Sequence, residues 1–78
     1  MADTQFNYEI IEHVATLSEN GEYSKELNLV SYNGSSPKFD LRGWRRTGDG
    51  VKLLKGLTLT DAEISILKRA LNERQDIA

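Results

Sequence analysis

Within the nine residues KFDLRGWRR (38–46) stand Lys38, Arg42, Arg45 and Arg46, with Trp44 among them. Cations neutralise phosphates and release their counterions. Flat rings stack on unpaired bases, at about 1–3 kcal/mol each, with little regard for sequence. Together these residue types suit the chain and the bases of one nucleic-acid strand, whereas a duplex hides its base faces. Tyr32 ahead of the stretch, and Lys52 and Lys55 behind it, extend the set.

Catalysis finds less to work with. His13 is the sole histidine, and Glu12 beside it would point to the opposite face of a strand. It is expected to be a surface or hydrogen-bonded histidine, not a base or a ligand. TGDG (47–50) lacks the spacing and the following helix of a phosphate-binding loop. The chain has no cysteine and no cluster of metal-ligating residues. No cofactor, no metal and no enzymatic activity are expected.

The net charge of −2 hides an uneven distribution. Residues 1–34 sum to −5, residues 35–57 to +4 and residues 58–78 to −1. With a screening length of about 8 Å, the local charge is what a ligand meets. The middle third is a basic island in an acidic protein. No apolar run approaches the ~20 residues that cross a bilayer, and the N-terminus lacks the parts of a signal peptide. A cytoplasmic protein with no membrane partner is expected.

The elements that must position these residues follow from alternation and turn chemistry. YEIIEHVATL (8–17) is β-branched and roughly alternating, a strand. Asn20-Gly21 in ENGE (19–22) marks a tight turn. YSKELNLVSY (23–32) sets Leu27, Leu29 and Ser31 on one side and Asn28, Val30 and Tyr32 on the other. NGSSP (33–37) is a turn cluster. KFDLRGW (38–44) places Phe39 and Leu41 one way, and Lys38, Asp40, Arg42 and Trp44 the other. TGDG is the third turn and VKLLKGLTL (51–59) the fourth strand, with a bulge expected at Gly56. Thr60 and Glu63 then form a capping box for a helix over 61–75. One α+β domain over 1–78 results: a four-stranded antiparallel meander followed by a C-terminal helix, ββββα.

Seventy-eight residues bury only about 60–65% of their unfolded surface, so self-association is the natural support. The helix carries two apolar stripes. Ile64, Leu67 and Leu71 are expected to cover the sheet; Ala62, Ile66 and Ala70, roughly opposite, are expected to meet a second subunit. The plainer alternative makes Ala62 and Ala70 helix formers and Ile66 a tolerated exposed residue. One helix covers only one face of a sheet, which leaves Tyr32, Lys38, Arg42 and Trp44 on an open face. Arg45 and Arg46 lead into the next turn, and Lys52 and Lys55 return from it. Asp40 is expected to orient Arg42. Single-stranded DNA or RNA is the expected partner. The rival is an interaction dimer that docks an acidic or extended peptide on the same face.

The segments VSYNGSSPKFDLRGWRR and GVKLLKGLTLTDAEISILKRAL resemble the positive cofactor four family of transcriptional coactivators, most closely its bacterial, YdbC-like branch. FDLR, the aromatic Trp44, KGLTL and the capped helix carry the likeness, and the strands at NYEIIEHVATLSE and KELNLVSYNG extend it over nearly the whole chain. The resemblance implies a homodimer whose helices pack across a two-fold. It implies binding of single-stranded DNA along the sheets with little sequence preference, in replication, repair or transcription regulation. It implies site roles for Tyr32, Arg42, Trp44 and Lys55. Arg45 and Arg46 match no motif of the family and rest on charge alone. The long Ser- and Lys-rich tail of the eukaryotic coactivators is missing, so the resemblance does not extend to a tail-borne coactivator role.

Overall fold

The computed structural model describes residues 7–76; residues 1–6 and 77–78 of the expected domain lie outside the described residues. The elements are β1 (Tyr8–Asn20), β2 (Tyr23–Tyr32), β3 (Lys38–Thr47), β4 (Gly50–Leu59) and α1 (Asp61–Asn72). The strands form one antiparallel sheet in sequence order, with β1 and β4 at its edges. This is the expected ββββα meander.

The turns do much of the placing. Asn20 pairs with Tyr23, so the first loop is Gly21-Glu22, and Gly21 alone there takes a positive φ, +62°. Asn20 is thus a ladder residue and β1 runs past the expected end at 17. In the second turn Asn33 (φ +51°) and Gly34 (φ +76°) both adopt left-handed geometry, as tight hairpins require. The Ser35 N–H closes that turn on the Tyr32 carbonyl (2.9 Å). Thr47 pairs with Gly50 across the third, which extends β3 through Arg45 and Arg46.

Two strands are bulged. The β1–β2 register shifts three times, between Ile10 and Glu12, His13 and Ala15, and Thr16 and Ser18. The inserted residues are Ile11, Val14 and Leu17, all apolar and all exposed. Each bulge adds twist to the strand. In β4, Leu54 and Lys55 stand against Gly43, between the pairs Arg42–Gly56 and Trp44–Leu53. The bulge expected near Gly56 is here, and the glycine is needed: a Cβ on it would fall 2.0 Å from Arg42 Cβ and 2.6 Å from the Leu41 carbonyl oxygen.

Hydropathy alone would bury the Leu27/Leu29/Phe39/Leu41 face. The structure buries the other one. Glu26, Asn28, Val30, Asp40 and Trp44 are its buried residues, whereas the leucine face is half-covered. The helix begins as expected: Thr60 Oγ1 accepts from the Glu63 N–H (3.1 Å), and Glu63 Oε1 accepts from the Thr60 N–H (2.8 Å). It ends at Asn72 and not at 75, because residues 72–75 offer no apolar side chain to pack and the Arg74 guanidinium turns to Asp76. No residue of α1 is buried. Leu67 and Leu71, expected to cover the sheet, remain exposed beside Ile66, and only Ile64 is half-covered. The helix touches β3 and β4 alone, too little sheet to bury a stripe.

Candidate nucleic-acid interface

Strand β3 lies inside the sheet and alternation divides its cations. Ladder pairs set Lys38 with Val30, Asp40 with Asn28, Arg42 with Glu26 and Trp44 with Ser24 on one face, which Arg46 and Tyr32 share. Arg45 is on the reverse face, opposite Tyr23 on β2 and Lys52 on β4. Lys55 sits in the β4 bulge, exposed. Five of the expected residues are therefore brought together (Tyr32, Lys38, Arg42, Trp44, Arg46), and Arg45 and Lys52 are not with them.

Two carboxylates organise the first face. Asp40 is fully enclosed; it accepts from Arg42 Nε at Oδ1 (2.8 Å), and from Arg42 Nη2 and the Tyr32 hydroxyl at Oδ2 (2.8 Å each). Arg42 Nη1 donates to the Leu54 carbonyl (3.0 Å). The expected orientation of Arg42 by Asp40 is thus a two-pronged, charge-assisted pair. It holds the guanidinium 5.7 Å from the Tyr32 ring centroid. The Asp40 bond raises the Arg42 pKa further above its ordinary value. Burial, and then the bond to Asp40, push the Tyr32 hydroxyl up to about 12 and keep it a donor.

Glu26 plays the same part for Arg46. Its carboxylate accepts from Arg46 Nη1 (2.5 Å) and Nη2 (3.3 Å), from the Ser24 hydroxyl (2.6 Å) and from Asn28 Nδ2 (3.2 Å). Burial alone would raise its pKa, but Arg46, Ser24 and Asn28 outweigh burial and hold it at about 2. The Arg46 guanidinium lies 5.3 Å from the centroid of the Trp44 ring. His13 closes the network: Nδ1 bonds to Asn28 Oδ1 (2.6 Å) and Nε2 to Thr16 Oγ1 (3.0 Å). It is a hydrogen-bonded histidine, as expected.

The expectation of an open indole is overturned. Trp44 is 0% exposed. Its ring lies 5.6 Å from Tyr8, which pairs with Tyr32 toward the opposite end of the sheet. Rings so far apart along the ladder meet only because the sheet curls, and the three β1 bulges supply twist of that kind. Arg46 lies over the enclosed ring. The Trp44 Nε1–H has no acceptor among the described residues. Trp44 is a support for this face and not a stacking surface. Ala62, Ile66 and Ala70 are exposed on α1, and the protomer itself leaves them uncovered.

Tyr23 is a further aromatic residue that the fold brings to an arginine. The residue is 48% exposed, and its ring centroid lies 5.6 Å from the Arg45 guanidinium. Arg45 Nε meets Glu22 Oε1 at 3.1 Å, both side chains exposed. Beside them an open cleft of about 380 Å³ is lined by Arg45, Thr47, Asp49, Gly50, Val51 and Lys52. Alternation places Tyr23 on the Arg45 side, but its partner depends on the register of the 33–37 turn.

Fold and site define a small curled antiparallel sheet with a capped C-terminal helix, whose third strand layers arginines on aromatic rings. The chain belongs to the same family as an uncharacterized protein of Treponema pallidum (strain Nichols): the two are 41% identical over 73 residues, which cover 92% of this chain and 84% of the relative. No protein-family model matches the chain. Among the described residues no helix is long and apolar enough to cross a membrane.

Proposed function

We propose that the protein is a cytoplasmic, non-enzymatic homodimer that binds single-stranded DNA with little sequence preference, in replication, repair or transcription regulation. The observation that carries this reading is the pair of ring-backed guanidinium groups on one face. Buried carboxylates pin Arg42 over Tyr32 and Arg46 over Trp44. A guanidinium plane is itself a stacking surface for an unpaired base, and one held in place loses little freedom when a base arrives. Arg46 is 44% exposed in its side chain, with the indole beneath it.

The carboxylates neutralise these two arginines, so the phosphates need other cations. Lys38 on this face and Lys55 in the β4 bulge are exposed and form no ion pair among the described residues. The basic island in the sequence and the resemblance to the positive cofactor four family support the same ligand.

The test is a titration with labelled oligo-dT of about 20 nucleotides at several salt concentrations. The expected result is binding that weakens linearly in log K against log salt, with duplex of equal length competing poorly. Arg46→Ala is expected to weaken binding about 5- to 150-fold, the range of one lost stack. Equal competition by duplex overturns base stacking. A shallow salt slope with preference for a particular peptide sequence favours the peptide-docking alternative.

A further inference from the structure

Arg45 and Arg46 are consecutive in β3 and therefore leave the sheet on opposite faces. On the reverse face the register lines up Tyr23, Arg45 and Lys52 across three strands. We propose that this row is a second nucleotide subsite. A base stacks on the Tyr23 ring, Arg45 and Lys52 take the adjoining phosphates, and one strand passes from Arg46 round the Thr47–Gly50 turn onto the reverse face. The inference rests on the single-strand reading above and adds a contact on the far side of the sheet.

Three observations carry it. Tyr23 is half-exposed and lies beyond the half-covered Leu27 and Leu29, so it is not filling a core. The charge state also differs from that of the first face. Arg42 and Arg46 are each compensated by a buried carboxylate, whereas among the described residues Arg45 has only the exposed Glu22. An exposed pair of that kind contributes little in water, so a phosphate can displace it. Lys52, directly opposite Arg45, forms no ion pair among the described residues. Finally, the open cleft between Arg45 and Lys52 leads to the Thr47–Gly50 turn, which is the path a strand would take from one face to the other.

The experiment compares wild type, Tyr23→Ala, Tyr23→Phe, Lys52→Ala and Arg46→Ala, each as the full chain, by fluorescence anisotropy with oligo-dT of about 20 nucleotides. Tyr23 and Lys52 are exposed, and circular dichroism checks that the fold is retained. Tyr23→Ala is expected to weaken binding about 5- to 150-fold, with Tyr23→Phe close to wild type because the ring remains. Lys52→Ala is expected to lower the salt slope by about 0.7, the share of one phosphate contact on a single strand. If Tyr23→Ala and Lys52→Ala bind as wild type while Arg46→Ala is weakened, the second subsite is wrong and the first face stands. If wild type does not bind the oligonucleotide, the single-strand reading fails and takes this subsite with it.

Discussion

The indole of Trp44 is enclosed and its Nε1–H is unpaired among the described residues, which changes what its removal would report. Trp44→Ala deletes a fully buried ring and should cost about 3–5 kcal/mol of stability, a large part of the roughly 5–15 kcal/mol a domain has. Any loss of DNA binding in that variant would follow from unfolding. Trp44→Phe leaves a smaller hole and also deletes the orphaned N–H, whose burial costs about 1–3 kcal/mol. The two effects oppose, so Trp44→Phe should lose less than half of what Trp44→Ala loses in urea denaturation. Glu26 gives a pH signature at the same scale. Its folded pKa of about 2 lies below the ordinary 4.5, so folding favours the ionised form. That stabilisation is complete above about pH 4.5 and is lost as the pH falls toward 2. The difference amounts to about 3 kcal/mol. The urea midpoint of wild type should therefore drop between pH 4.5 and 2. Glu26→Gln should start lower at pH 7 and follow a flatter course over that window; an equally steep course would show that other carboxylates carry the acid transition.

At the scale of elements, the strands, the hairpins and the capped helix were legible because each has a local cause. Period-two alternation marks β2 and β3, Asn33-Gly34 marks a turn, and Thr60 with Glu63 marks the helix start. The bulges of β1 were not legible. Ile11, Val14 and Leu17 are inserted between ladder pairs, and in the sequence an inserted apolar residue looks only like imperfect alternation. Register was the second gap. Lys38 pairs with Val30 and not with Tyr32 at the end of the neighbouring strand. An offset of two keeps every residue on its face and moves every partner, which is how the face of Tyr32, Arg42 and Trp44 was legible while the meeting of Tyr23 with Arg45 was not. The opposite facing of Arg45 and Arg46 follows from strand geometry alone, although charge counting placed them together. Burial was the third gap. Hydropathy favours the leucine face, yet Asp40 and Glu26 satisfy Arg42, Arg46, Tyr32 and Ser24 so fully that the polar face can close.

The whole molecule measures 50 × 31 × 18 Å, and its radius of gyration of 14.6 Å exceeds the roughly 11.5 Å of a compact chain of this length. It is one sheet with a helix at its edge and lacks a second layer. Leu57, Leu67 and Leu71 are exposed, and Ile66 is 58% exposed, an apolar surface that a stable monomer would cover. A second copy would supply the missing layer. Wild type should sediment at twice the 8.8 kDa chain mass, with a denaturation midpoint that rises with protein concentration, as mass action requires of a dimer. Ile66→Glu should reduce the mass to that of one chain and remove the concentration dependence. The side chain touches little within the protomer, so the effect would come through the interface, where an unpaired buried carboxylate is strongly unfavourable. A monomeric wild type would leave the exposed stripe unexplained by self-association. A dimeric Ile66→Glu would move the interface away from this side of α1, onto the Leu67/Leu71 stripe or the bulged edge of β1.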